Sequence, residues 1–179
     1  MKKAFFGAIL ILALYSCKSK FSTEEAQSYY EKIQVVTSRN KIEIEKLNHL
    51  LNVYCKETIV NDSFPMEQTR LFELRELNKQ SILSLTEGIK TIELLPDPIA
   101  ENDIKNGSLT YLNMVLSFSQ VTLPASIELF AGDELKSEDI DKVLKMKNAG
   151  EKLQEKGKEY DILINNYFKE FDIPVSDLK

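Results

Sequence analysis

Histidine, cysteine and tryptophan are scarce in this chain: among 179 residues there are one His, two Cys and no Trp. That scarcity excludes whole classes of site. A di-iron centre of the kind found in helical proteins needs Glu ligands and two Glu-x-x-His motifs. His49 stands alone, with Lys46 three residues before it and Glu45 four before it. A c-type haem needs C-x-x-C-H, and neither Cys17 nor Cys55 has that context. A Cys–His nucleophile would have to pair Cys55 with His49. Six residues apart, they lie about 240° apart around one helix and cannot meet. The six glycines are scattered, so no glycine-rich phosphate loop exists, and G-x-S-x-G is absent. No metal ligand set, cofactor or catalytic residue is therefore expected.

Carboxylates, by contrast, are plentiful, with 28 Asp and Glu against 23 Lys and Arg. Glu24-Glu25, Glu43 with Glu45, Glu73 with Glu76, and Glu138-Asp139 with Asp141 form the clusters. Each falls at a helix start or among lysines, as caps and solvated faces do, so none reads as an acid/base pair. The acidic balance repels phosphate backbones, and nucleic acid is not an expected partner.

Long apolar runs are also rare. The one present, Ala4 to Leu14, follows Lys2 and Lys3. Its roughly 17 Å as a helix falls short of the ~30 Å core of a bilayer. A basic start and a short apolar core describe an export signal. Leu14-Tyr15-Ser16-Cys17 then resembles the lipobox of bacterial lipoproteins, with Tyr15 bulkier than usual at its position. The resemblance implies cleavage before Cys17, acylation of its thiol and a membrane anchor built from several acyl chains. Residues 1–16 would be the signal peptide, and 17–21 the lipidated cysteine and tether. Losing 1–16 removes two lysines and no acid, which takes the net charge from -5 to -7. Cys55 would then be the only thiol, excluding an intramolecular disulfide, and it reads as a buried structural cysteine.

Four amphipathic segments follow. Ser22 with Glu25 forms a capping box, after which Ile33, Val36, Asn40, Ile44, Leu47, Leu51 and Tyr54 step by three and four as far as Ile59. Pro65 suits the first turn of a second helix carrying Leu71, Leu74, Asn78, Ile82, Leu85, Ile89 and Ile92, which stops at Pro96 and Pro98. A third starts near Ala100 or Glu101 and carries Ile104, Ser108, Tyr111, Val115, Phe118, Thr122, Ala125 and Leu129, with a kink expected near Pro124. Ser137 caps a fourth, with Ile140, Val143, Met146, Gly150, Leu153, Gly157, Tyr160, Ile164, Tyr167 and Phe171. Gly150 and Gly157 on that stripe suggest a close neighbouring helix. The expected fold is all-α, an up-down-up-down four-helix bundle over 22–174 with a short tail at 175–179. In that bundle Asn40 would lie level with Ser84 and Ser81, a pair fixing register.

Ser28-Tyr29-Tyr30 with Ile33, then Tyr111, Leu112 and Phe118, then Tyr167 to Ile173 complete the pattern. With these features the chain resembles a group of small, all-helical bacterial surface lipoproteins of uncharacterised function. The resemblance implies a cell-envelope protein at the outer membrane. The expected role is non-enzymatic: a structural helical module or one binding a protein partner in the envelope. The alternative is a carrier holding a small apolar ligand between its helices, with Asn40 and Asn78 as polar contacts.

Overall fold

The computed structural model describes residues 21–96, 103–134, 136 and 139–174. The expected signal peptide at 1–16, Cys17 and the expected tether up to residue 20, the acidic stretch around 97–101, the expected Ser137 cap and the tail at 175–179 lie outside the described residues, as does the side chain of Ile140. Among the described residues there are four helices and no strand. They are α1 Thr23–Val60, α2 Gln68–Glu93, α3 Ile104–Ala131 and α4 Asp139–Glu170.

The capping box opens α1 as expected. Glu25 N–H donates to Ser22 Oγ at 3.2 Å, and Ser22 N–H donates back to Glu25 Oε2 at 2.8 Å. With neither Gly nor Pro to interrupt it, the helix runs for 38 residues. It ends where Asp62 enters the left-handed region at φ 49°, which a short polar side chain tolerates. The second helix corrects the expectation, starting at Gln68 rather than at Pro65. The side chains before it are drawn inward: Phe64 stacks on Phe130 at 5.8 Å, and buried Met66 donates its N–H to Phe130 O at 2.8 Å. Asp103 caps α3 by accepting from Asn106 N–H, so the described part of that helix begins at Ile104.

A single continuous helix, α3, passes through Pro124. Its backbone widens into a π-turn at Phe118–Thr122, in which Leu123 N–H bonds Phe118 O. A π-turn holds one more residue than the α-turn it replaces, so every side chain beyond it is rotated by about 100°. The buried stripe shifts accordingly. Ser119, Leu123, Ser126 and Phe130 are buried where Phe118, Thr122, Ala125 and Leu129 were expected, and Ala125 is exposed. Leu129 remains inside as well. Among the described residues, α3 alone is long and apolar enough to cross a membrane by length and composition. Leu112, Val115, Leu123 and Ile127 of this helix are buried in the core, whereas Val121 is exposed.

Contacts between helices fix their register. The end of α1 lies beside the start of α2 (Tyr54 to Glu73, 2.6 Å; Arg70 to Glu57, 2.6 Å), and the start of α1 beside the end of α2 (Tyr29 to Pro96 O, 2.8 Å). Across from Asn40 stands Gly88, one turn beyond the expected Ser84, because the connection before α2 is longer than the sequence suggested. A Cβ at Gly88 would come within 2.6 Å of Val36 and 3.0 Å of the Asn40 amide, so this glycine permits close approach. Arg75 joins α2 to α3 through Glu128 at 2.8 Å, and Ser108 joins α3 to α4 through Tyr160 at 2.8 Å.

The core has two parts. One gathers Tyr29, Tyr30, Ile33, Leu85, Ile92, Leu112, Tyr167 and Phe171 around the start of α1. The other gathers Leu47, Met66, Leu71, Leu74, Leu123, Ile127 and Phe130 toward its end. Between them lies a buried polar belt of Asn78, Ser81, Ser84 and Ser119. The fourth helix joins this core from Met146 onward. Val143 is 44% exposed, which corrects the expected stripe at that position. Leu112→Ala, at a fully enclosed position, should lower stability by about 2–5 kcal/mol, whereas Val143→Ala should stay within about 0.5 kcal/mol. Urea denaturation midpoints of the two variants check this.

Candidate functional site

The first and fourth helices meet through aromatic side chains. Phe168 and Tyr30 meet in a T-shaped pair at 4.7 Å, and Tyr167 packs on Tyr30 at 6.4 Å and on Phe171 at 4.8 Å. Tyr167 is fully buried and donates its hydroxyl hydrogen to Ala26 O at 3.0 Å. Rings of this size hold two backbones further apart than aliphatic side chains do. Past this aromatic end, α1 and α4 line a cleft of about 800 Å³ to which α3 contributes Tyr111, Leu112, Val115 and Phe118.

Two glycines leave gaps in the α4 side of that cleft. A Cβ at Gly150 would meet nothing within 4 Å, and one at Gly157 would meet only Tyr111 at 3.8 Å. These glycines were expected to admit a neighbouring helix, and the structure places open cleft there instead. The close approaches fall elsewhere, at Gly88 and at Gly107, where a Cβ would overlap Leu163. Each glycine in a helix interior costs about 1 kcal/mol relative to alanine. At Gly150 and Gly157 no packing contact offsets that cost.

Stacked rings of Tyr111 and Tyr160, 5.1 Å apart and nearly parallel, edge the cleft. Burial pushes the Tyr160 hydroxyl up to about 12, partly offset by its hydrogen bond with Ser108. Burial, and then the Asp161 carboxylate, raise Tyr30 and Tyr111 as well. These phenols stay protonated at neutral pH and act as hydrogen-bonding walls rather than bases. Four charged side chains line the cleft, Lys41, Glu45, Lys158 and Asp161, two of each sign.

The two asparagines singled out from sequence are not brought together. Asn40 is 3% exposed and lines the cleft. Its Nδ2 donates to Val36 O at 2.8 Å, and its Oδ1 has no partner. Asn78 lies on a separate, shallow depression beside Pro124 and Glu128. Its Nδ2 donates to Ser119 O at 2.9 Å. The reason is visible in the backbone. In the π-turn pattern the residue five beyond Ser119 would bond its carbonyl, and that residue is Pro124, which has no N–H. Asn78 supplies the missing donor, so its amide is committed to structure.

Other candidates fall away from the cleft. His49 is exposed. Cys55 is half-buried against the far core, and burial pushes its thiol up to about 12. Among the described residues no group of three or more His, Cys, Asp and Glu could hold a metal ion. What sequence reasoning missed was the place of the cleft, between α1 and α4, and the available signal was the pair of glycines seven residues apart, Gly150 and Gly157, on one stripe.

The chain matches no protein-family model, no curated protein and no solved structure.

Two outcomes test these assignments. Asn78→Ala should destabilise the protein by about 1–3 kcal/mol, the cost of an orphaned buried carbonyl. Adding Pro124→Ala, which restores an N–H, should recover at least half of that loss in a double-mutant cycle followed by urea denaturation. For Cys55, iodoacetamide at pH 8 should react on the order of 100-fold more slowly with the native protein than with the urea-unfolded chain, since the raised thiol leaves little thiolate. Mass spectrometry of timed samples measures this.

Proposed function

We propose that this chain is a lipid-anchored protein of the cell envelope, held at the outer membrane through an acylated Cys17, and that it acts by binding rather than by catalysis. Its four helices form one up-down-up-down bundle over 22–174. The basic start, short apolar run and Leu14–Cys17 spacing support the anchor. The end-to-start contacts between consecutive helices support the bundle. Binding an envelope protein is the broader reading of its role.

A second reading, a carrier for a small ligand, is favoured by one observation: the cleft between α1 and α4. Its volume of about 800 Å³ falls in the range of small-molecule sites, and its lining mixes apolar side chains such as Ile44, Leu112 and Leu153 with polar and charged ones such as Gln34, Asn48 and Gln154. Asn40 contributes to that site, and Asn78, tied to Ser119, does not.

Cys17→Ser should move the protein from the detergent phase to the aqueous phase on partitioning, and intact mass should show acylation only in the parent. An unmodified Met1 or a free Cys17 thiol in the parent would remove the anchor from this reading. Cross-linking in intact membranes, followed by identification of captured protein and lipid, separates the two kinds of partner.

A further inference from the structure

We propose that the outward face of α1 is a docking surface for the lipid layer that holds the anchor, so that the bundle lies on its side along the membrane. This deepens the anchored reading and rests on it. The first observation is a line of apolar side chains turned to solvent. Val35, Ile42 and Val60 are 72%, 67% and 72% exposed, and Val53 is partly exposed between them. Val35 and Val53 are separated by five whole helical turns, as are Ile42 and Val60, and the two pairs differ by only about 20° around the helix. The line therefore runs straight for about 37 Å, on the side of α1 opposite the buried Ile33 and Leu47.

Cations flank that line. Lys32, Arg39, Lys46 and Lys56 are exposed beside it. Long basic side chains lay their stems over apolar surface while their heads reach lipid phosphates. Arg39 shares its charge with Glu43 at 3.4 Å, which leaves the three lysines. Between Lys32 and Val60 the face itself holds Glu57, and Arg70 takes that carboxylate at 2.6 Å. Glu24 and Glu31 lie nearer the tether, which carries Lys18 and Lys20. Acids outnumber bases in the chain as a whole, so the excess of positive charge here is local. It also argues against a second copy as the occupant, because two such faces would set like charges against each other.

The tether supplies proximity. Phe21 packs on Tyr29 and Phe171 at 5.7 and 6.3 Å, so the chain is already fixed four residues beyond Cys17. Four residues reach at most about 14 Å. The start of α1 is thereby held at the lipid surface, and a tilt about that point brings the rest of the face down. Valine and isoleucine then leave water for the headgroup boundary, and the lysines meet phosphate.

The test uses the full lipidated chain in vesicles of phosphatidylethanolamine and phosphatidylglycerol. An environment-sensitive dye is placed at Ile42→Cys, at Leu83→Cys on the outward face of α2, or at Leu94→Cys, each in a Cys55→Ser background, and is quenched with head-group spin-labelled lipid. The dye at position 42 should be strongly quenched and blue-shifted, and the dyes at 83 and 94 should not. Lys32→Gln, Arg39→Gln and Lys46→Gln together should lower the docked-to-free ratio at least about tenfold, read as lost quenching at position 42, with the melting temperature unchanged. Leu94 is 87% exposed at the tethered end, close to Pro96, whose carbonyl accepts from Tyr29. Stronger quenching there than at position 42 would stand the domain on its end and overturn the inference. Equal quenching at 42 and 83, or quenching at 42 that survives the three substitutions, would overturn it as well. Shielding of position 42 that fades when chains are diluted among more vesicles would give the face to a second copy instead. Flotation of the unlabelled chain with vesicles reports the anchor alone, so a chain that floats with an unquenched dye at position 42 keeps the anchor and loses the docking.

Discussion

The seating of Tyr167 between the first and last helices is the contact on which the rest of the arrangement depends. Its ring packs on Tyr30 and Phe171, and its hydroxyl reaches the backbone of α1 at Ala26. That one side chain joins residues 141 positions apart in the chain, tying the last helix to the first. It also fixes the spacing. A pair of aliphatic side chains would let α1 and α4 close on each other, whereas Tyr30, Tyr167 and Phe168 set them apart at one end. The cleft continues that spacing along the two helices, where Thr37, Ser38, Gly150 and Gly157 leave room between larger lining residues such as Gln34, Leu153 and Gln154.

Much of this was legible in the sequence, and the failures have physical causes. The stripe of α1 from Ile33 to Leu47 and that of α2 from Leu71 to Ile92 follow the period of an uninterrupted helix, and so does their burial. Ser22 and Glu25 announced their own capping box. Beyond Pro124 the period misleads, because a π-turn adds a residue without leaving a mark in hydrophobic spacing. A proline told of a disturbance but not of its kind. The deciding partner, Asn78, lies 41 residues away on another helix. Register between helices was similarly out of reach. Placing Asn40 against Gly88 required the true length of the connection around Phe64 and Met66, whose inward turn a local reading does not give.

For the site, residue type was readable and placement was not. Asn40 and Asn78 look alike in sequence, each a polar residue on an apolar stripe. One completes a broken backbone ladder, and the other keeps a free oxygen beside a cleft. Gly150 and Gly157 show the same limit. A glycine on a buried stripe signals missing bulk, and whether a neighbouring helix or empty space takes the room depends on how far away the neighbour is held.

The divided core carries a consequence for how this protein breathes. Asn78, Ser81 and Ser119 each keep a buried polar atom without a protein partner, at the level where α3 widens. Water is the natural guest of such a layer. Apolar contacts on either side do not run through it, so the cooperative unit that includes Leu47, Met66, Leu71 and Phe130 can melt without exposing the one built on Tyr167. Amide hydrogens would then exchange in two classes, with slow sites near the aromatic end and faster ones beyond the belt. A molecule that looks like one rod of helices would behave as two foldons sharing a wet seam.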